Sequence, residues 1–191
     1  MRIKGALVAF LLIIAGAGTC IAATFTLDRN NTVVRFTYQV GFVSQSAHFG
    51  ELSGVFKFDE AAPEHSYLNA VIKTASLKAN QFEEKLKGED FFNVTAWPEI
   101  RFVSHDFRPA AGNRAELTGD LTMKGITKPI TLHLAFNPAQ AAIPSRGGAT
   151  GGAQLIAESR ILRSSFNMTA LGFLVDDEID IRFDAALQAK R

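Results

Sequence analysis

The stretch from Gly119 to Phe136 constrains the fold of this chain more than any other: Gly-Asp-Leu-Thr-Met-Lys-Gly-Ile-Thr-Lys-Pro-Ile-Thr-Leu-His-Leu-Ala-Phe. Leu121 and Met123 fall on one face of a first alternating run, which ends at Lys124-Gly125. Ile130, Leu132, Leu134 and Phe136 share one face of a second run, with Thr131 and His133 on the other. A strand turns successive side chains to opposite sides of its sheet. A period of two carried across a turn therefore predicts a half-buried antiparallel hairpin.

The same period recurs along the chain. Val34, Phe36, Tyr38 and Val40 line one face of a first long strand, opposite Arg35, Thr37 and Gln39. After a loop from Phe42 to Gly50, the run Leu52, Gly54, Phe56, Phe58 marks a second strand. Leu68, Ala70 and Ile72 mark a third, and Ile100, Phe102 and Ser104 a fourth. Residues 115–123 and 129–136 form the fifth and sixth, 153–163 the seventh, and Ile179, Ile181, Phe183, Ala185 and Leu187 the eighth. One segment departs from this pattern. Asn80 is placed to cap a helix, with Glu83 three residues later and Gly88 as its stop. Phe82 and Leu86 then stand four apart on one apolar stripe, and Phe91-Phe92 and Trp97-Pro98 extend the cover. The connection from Asn137 to Gly152, rich in Pro, Ala and Gly, reads as a long loop within a single domain.

Eight antiparallel strands with one short helix predict an all-β chain, closed as a barrel or stacked as a sandwich. Closure removes the strand edges that would otherwise need protection. An eight-stranded barrel is also about the size that holds one small ligand.

The N-terminus reads as an export leader. Arg2 and Lys4 are followed by an apolar run from Ala6 to Ala17 and by the small-residue exit Cys20-Ile21-Ala22-Ala23, with cleavage near Ala22/Ala23. The run is shorter than the roughly 20 residues that span a bilayer. The expected organisation is a signal peptide over 1–23 and one domain over 24–191, periplasmic or secreted. Cys20 falls in a poor context for lipidation, and cleavage removes the only cysteine, leaving no thiol for redox chemistry or metal ligation. The formal charge of +1 includes Arg2 and Lys4, so losing those two leaves −1. Basic residues are scattered among acids, which argues against nucleic acid and anionic membrane surfaces as partners. Sixteen Phe against two Tyr and one Trp favours a large dry interior over a wet cleft, since Phe has no polar atom to satisfy.

Residues suited to catalysis do not converge. His48, His65, His105 and His133 stand far apart, with no pair at ligand spacing, and no metal site is expected. There is no nucleophile elbow, phosphate-cradling loop or dinucleotide fingerprint. Glu89-Asp90 and Asp176-Asp177-Glu178 read as solvated turns. Arg163, in Arg160-Ile-Leu-Arg-Ser-Ser-Phe-Asn-Met168, has two readings: it holds a loop by bonding carbonyls, or it stands at a barrel mouth near a ligand's polar end.

Four segments carry a resemblance: Gly54-Val-Phe-Lys-Phe58, Glu89 to Ser104, Gly119 to Pro129, and Arg163-Ser-Ser-Phe-Asn-Met168. In that order they resemble the YceI-like proteins, a lipid- or polyisoprenoid-binding family. The chain departs from the family pattern at Asn31-Thr32, Gly41, Lys85 and Asn167. The first three fall at or near positions where many members carry histidine, and Asn167 replaces a common glycine. The resemblance implies an eight-stranded lipocalin-like barrel and a non-enzymatic periplasmic carrier enclosing an isoprenoid chain, such as a quinone or polyprenyl tail, with no other cofactor. The residues expected to line the lumen are Phe36, Tyr38, Phe56, Phe58, Ile72, Phe102, Leu121, Leu132, Leu134, Phe136, Ile181 and Phe183, with Arg163 at the mouth. The alternative is an accessory or stress-response protein that docks on a membrane redox partner, such as a b-type cytochrome, without obligatory cargo. Assembly as a homodimer is left open.

Overall fold

The computed structural model describes residues 23–59, 62–137 and 152–189. The leader and the centre of the Asn137–Gly152 connection lie outside these residues. Alternation becomes ten strands: β1 (Ala23–Val40), β2 (Val43–Phe49), β3 (Leu52–Phe58), β4 (Tyr67–Lys73), β5 (Leu77–Ala79), β6 (Glu99–Ala110), β7 (Arg114–Met123), β8 (Ile126–Asn137), β9 (Gly152–Leu162) and β10 (Glu178–Ala189). Eight of them close a barrel in the order β1, β3, β4, β6, β7, β8, β9, β10, with β10 pairing back to β1. Every pairing is antiparallel. The closed eight-stranded antiparallel barrel expected from the sequence is the architecture found.

Two strands fall where the sequence predicted none. The loop expected from Phe42 to Gly50 holds β2, which pairs with the C-terminal half of β1, and β5 adds to β2. β2 buries only Ala47 and Phe49 among polar neighbours and β5 is three residues long, so neither carries a long period of apolar side chains. They extend the sheet beyond the barrel rim. β1 serves both regions because it changes partner at an irregularity between Leu27 and Thr32. Residues 23–26 pair with β3 and residues 34–40 with β2. The Asp28 carboxylate steadies the irregularity by accepting from the Asn30 amide and the Asn31 side chain, which also holds its pKa down.

The β7–β8 hairpin follows its sequence. Lys124 and Gly125 both take positive φ, 51° and 72°, as the tight hairpin turn between paired Met123 and Ile126 requires. Along β7 the odd residues Ala115, Leu117, Gly119, Leu121 and Met123 point inward and are buried. Gly119 is required there: a Cβ would lie 2.6 Å from the Phe102 ring and 2.7 Å from the Val103 carbonyl oxygen. It faces β6 where His105 interrupts the register.

The helix is shorter than the sequence suggests and is not capped by Asn80. Helix α1 spans Glu83–Lys87, its N-cap is Phe82 at φ 62°, and no side chain of the cap residue bonds to it. Glu83 instead reaches back, accepting from the Ala79 amide at 3.2 Å and from Lys87 Nζ at 2.7 Å. Gly88 ends the helix as expected. Leu86 is buried, whereas Phe82 is half exposed.

Candidate functional site

The barrel interior has two unlike halves. At the end where β1 begins, at Ala23, and where β3, β8 and β10 finish, at Phe58, Asn137 and Ala189, five rings pack together. Phe136 lies 5.6 Å from Phe58, 6.1 Å from Phe56 and 6.3 Å from Phe25, and Phe107 lies 6.2 Å from Phe58. These tilted and offset contacts fill the floor. The opposite half encloses an apolar cavity of about 180 Å³.

Eight of the twelve expected lumen residues line this cavity: Phe36, Tyr38, Ile72, Phe102, Leu121, Leu132, Ile181 and Phe183. Phe56, Phe58 and Phe136 do not, because they belong to the aromatic floor. Leu134 is buried below Leu132 on the same inward row and also lies outside the lining. Alternation identifies the inward face of a strand. It carries no information on depth along the barrel axis, so it merges cavity wall with plug.

Elements outside the eight barrel strands add to the wall. Phe49 comes from β2, Phe91 and Phe92 from the turns after α1, and Met168, Leu171, Leu174 and Val175 from the segment between β9 and β10. Phe92 packs 5.5 Å from Phe36 and edge-on to Phe49 at 5.2 Å. The Phe91-Phe92 doublet signalled its part in the sequence as cover beside the helix. The residues 168–175 had no periodic signal. Phe82, Lys85, Leu171 and Leu174 line the cavity while remaining partly exposed, which marks where it opens.

Arg163 stands at that opening and is 5% exposed. It lies at the start of a 3-10 turn, Arg163–Phe166, and binds the following loop from within. Nε donates to the Asp176 carbonyl at 3.0 Å, Nη1 to the Met168 carbonyl and to that of Ala170 at 2.8 Å, and Nη2 to that of Val175 at 2.9 Å. Four of the five N–H groups of a guanidinium are thereby occupied. Both readings of the sequence apply to its place, but its bonding is that of a loop holder. Asp177 adds a second tie by accepting from the Ser164 hydroxyl at 2.6 Å and amide at 2.8 Å, bonds that keep its carboxyl below the usual range. The Asp176-Asp177-Glu178 turn is thus partly a fastening rather than only a solvated corner.

Lys124 closes the set. Its Nζ donates to the carbonyls of Glu89 at 3.1 Å and Asn167 at 3.3 Å, joining the β7–β8 turn to the α1 region and the 3-10 turn. Burial lowers its pKa. Asn167 takes the left-handed conformation at φ 56°, which asparagine tolerates better than most residues. The surface that the wall exposes to the cavity is apolar, although Tyr38, Lys85 and Arg163 are among the residues that line it. Lys85 contributes its stem and pairs its ammonium with Asp90, whose pKa that bond lowers. The histidines lie elsewhere: His65, His105 and His133 are exposed and His48 half-buried on β2. Among the described residues no three His, Cys, Asp or Glu side chains gather as a metal would need. No helix among them is long and apolar enough to cross a membrane.

Comparison with known proteins agrees with this architecture. The chain is 35% identical over 126 residues to a UPF0312 protein of Pseudomonas savastanoi pv. phaseolicola, an alignment covering 63% of this chain and 66% of the relative. The chain therefore spans just under two thirds of that curated relative's length. The crystal structure of Burkholderia cenocepacia BcnA superposes with a TM-score of 0.73 at 25% identity, covering 84% of this chain and 98% of that one. A structure from Saccharophagus degradans, described as a polyisoprenoid binding domain, shares the fold with a TM-score of 0.59 at 14% identity, over 87% and 98% of the two chains. The YceI-like domain matches residues 25–187, from the floor strand through the whole barrel, and the chain belongs to that family.

Proposed function

We propose that this protein is a non-enzymatic carrier that encloses an isoprenoid-type lipid, acting in the periplasm or outside the cell once its leader is removed near Ala22/Ala23. The observation that carries the reading is the open apolar cavity in one half of a closed barrel. Burial of hydrocarbon in such a space yields roughly 0.8 kcal/mol per CH₂, or about 3–4 kcal/mol gross for a five-carbon unit. Association entropy offsets part of it, yet a short length of chain suffices for binding without polar recognition. The Saccharophagus domain's description fits the same kind of cargo.

The rim suits transfer. Fully exposed Phe42 in the β1–β2 turn stands next to Gly41, whose amide donates to the Leu174 carbonyl at 2.8 Å, and nearly fully exposed Phe173 precedes Leu174. Two aromatic side chains held in water beside an apolar opening mark a contact surface. This rim also favours the second reading, docking on a membrane redox protein, which needs no cavity. The decisive experiment is organic extraction of protein purified from its native compartment, followed by mass spectrometry. The expected result is a stoichiometric isoprenoid, lost in a folded Leu132→Asp variant. Absence of any lipid, together with failure of the purified barrel to take up an added prenol, would sink the carrier reading and leave the docking one.

A further inference from the structure

Two uncharged chain tips stand beside the cavity opening. Residues 41–44, Gly-Phe-Val-Ser, and 171–174, Leu-Gly-Phe-Leu, are exposed along their whole length. The uncharged run around each is longer, 36–47 for the first tip and 164–175 for the second. Soluble surfaces normally break such apolar stretches with charged side chains, and an unbroken one marks a contact surface. Packing within the chain does not explain this one. Phe42 is 106% exposed and Phe173 90%, so neither ring is covered by its own protein.

The tips form one surface. Val40 bridges to Val175, the Gly41 amide donates to the Leu174 carbonyl at 2.8 Å, and the Asp176 amide donates to the Gln39 carbonyl at 3.3 Å. Arg163 braces the second tip through its bonds to Met168, Ala170, Val175 and Asp176. Leu171 and Leu174, which flank Phe173, also line the cavity, so apolar surface runs from the wall to the outside.

Place and charge decide what covers this surface. The segments outside the described residues join the barrel at its floor end: before Ala23, after Asp59, between Asn137 and Gly152, and after Ala189. The longest internal one, 138–151, leaves and returns at the floor, so its 14 residues reach at most about 25 Å. β8 alone runs roughly 36 Å from Asn137 to Ile126 at the other end. Cations at the mouth are already engaged: Lys85 by Asp90, Lys124 by two carbonyls and Arg163 by four. Asp176 and Asp177 follow directly on the second tip. Nothing there complements an anionic headgroup, and the charged and polar rim of a usual protein interface is missing from both tips. A hydrocarbon layer needs neither, and it receives protruding rings without a matched socket. Cargo leaving through this mouth must also enter another apolar medium, because exposing hydrocarbon to water is unfavourable.

We infer that the rim is a membrane-docking surface, in which Phe42 and Phe173 insert into a neutral phospholipid bilayer and hold the open mouth against it. This rests on the carrier reading and adds the partner with which cargo is exchanged. Insertion of this kind draws on apolar burial, so it needs no anionic lipid and is insensitive to salt.

The test uses the delipidated mature protein with protein-free vesicles of phosphatidylcholine, alone or mixed with phosphatidylglycerol. Flotation at low and high salt gives the partitioning, ultracentrifugation the oligomeric state, and calorimetry with geraniol the loading in solution. Wild type is expected to bind both vesicles alike at both salt levels. Phe42→Gln and Phe173→Gln should each weaken binding about tenfold and together about a hundredfold, as the loss of one and two buried rings requires. Geraniol binding should not change, since neither ring lines the cavity. Binding that needs phosphatidylglycerol, that is lost at high salt, or that survives the double substitution overturns the insertion. Wild type that floats with neither vesicle overturns it as well. In that case dimerisation lost in the double variant assigns the rim to a second copy, and recruitment by native membranes alone assigns it to a membrane protein. Vesicle binding without geraniol binding removes the carrier reading and leaves the docking surface standing.

Discussion

Arg163 shows how a charged side chain can be buried at a binding site and still serve the backbone. Its carbonyl acceptors, on Met168, Ala170, Val175 and Asp176, fall within a loop that supplies part of the cavity wall. Lysine has one nitrogen and cannot reproduce this planar fan of donors. Arg163→Lys is expected to lose about 2–4 kcal/mol of stability, because hydrogen bonds to charged groups are strong and the abandoned carbonyls lie in a poorly hydrated place. Urea unfolding gives the loss, and hydrogen exchange should rise selectively across residues 168–176. Unchanged exchange in that loop would show that Arg163 does not hold it. The sequence allowed this role for Arg163 but could not decide between it and ligand contact, since both place an arginine at a strand's end. Tyr38 was legible as an inward residue. That its oxygen would find no partner among the described residues was not, because satisfaction of a buried group depends on neighbours from distant strands.

At the scale of elements, what was legible followed from burial on one face alone. β3, β4, β7, β8, β9 and β10 each show it and were found within a few residues, whereas β6 was read only to Ser104 because its register shifts there and its buried positions turn from even to odd. β1 was read only from Val34 because its inward positions are odd before the Asp28–Asn31 irregularity, as at Phe25 and Leu27, and even after it. A parity change inside one strand erases the periodic signal. The helix cap failed for a different reason. Asn80 suited the rule, but the helix begins at Glu83 with Phe82 as its N-cap in the left-handed conformation, and the Glu83 carboxylate reaches back to the Ala79 amide. The Lys87 ammonium first, then the Ala79 amide, hold the Glu83 pKa at about 2, below its ordinary 4.5. A depressed folded-state pKa stabilises the native state above the unfolded value, and that contribution fades as pH falls from about 4.5 to about 2. Glu83 lies at the surface with its side chain only partly covered, so the effect is local and screened by salt. Carbon-detected NMR should place the Glu83 titration midpoint near 2, with the Ala79 amide shift following it. Lys87→Ala should return the midpoint toward the ordinary range. A midpoint already at the ordinary value in wild type would refute the clamp.

For the whole molecule, the division of the barrel into floor and chamber sets which cargo fits. An apolar cavity of roughly 150 Å³ accepts a benzene-sized molecule. The 180 Å³ found here therefore seats about one isoprenoid unit before the walls must move. Met123 and Met168 are the wall residues best able to yield, since an unbranched thioether repacks easily. A longer chain must spread them, pass out through the rim, or part the aromatic floor. Phe136 is a floor residue whose removal loosens the plug, because it touches the rings of Phe25, Phe56 and Phe58 at once. Across geraniol, farnesol and geranylgeraniol, wild-type affinity is expected to rise and then level off when the chamber is full. Phe136→Ala is expected to cost about 3 kcal/mol of stability and to move that plateau to a longer prenol, since the vacated ring space extends the chamber. The stability loss alone predicts no change in chain-length preference, so the two effects separate. A plateau at the same prenol in both proteins would mean that the chain leaves through the rim and that the floor takes no part in selecting it.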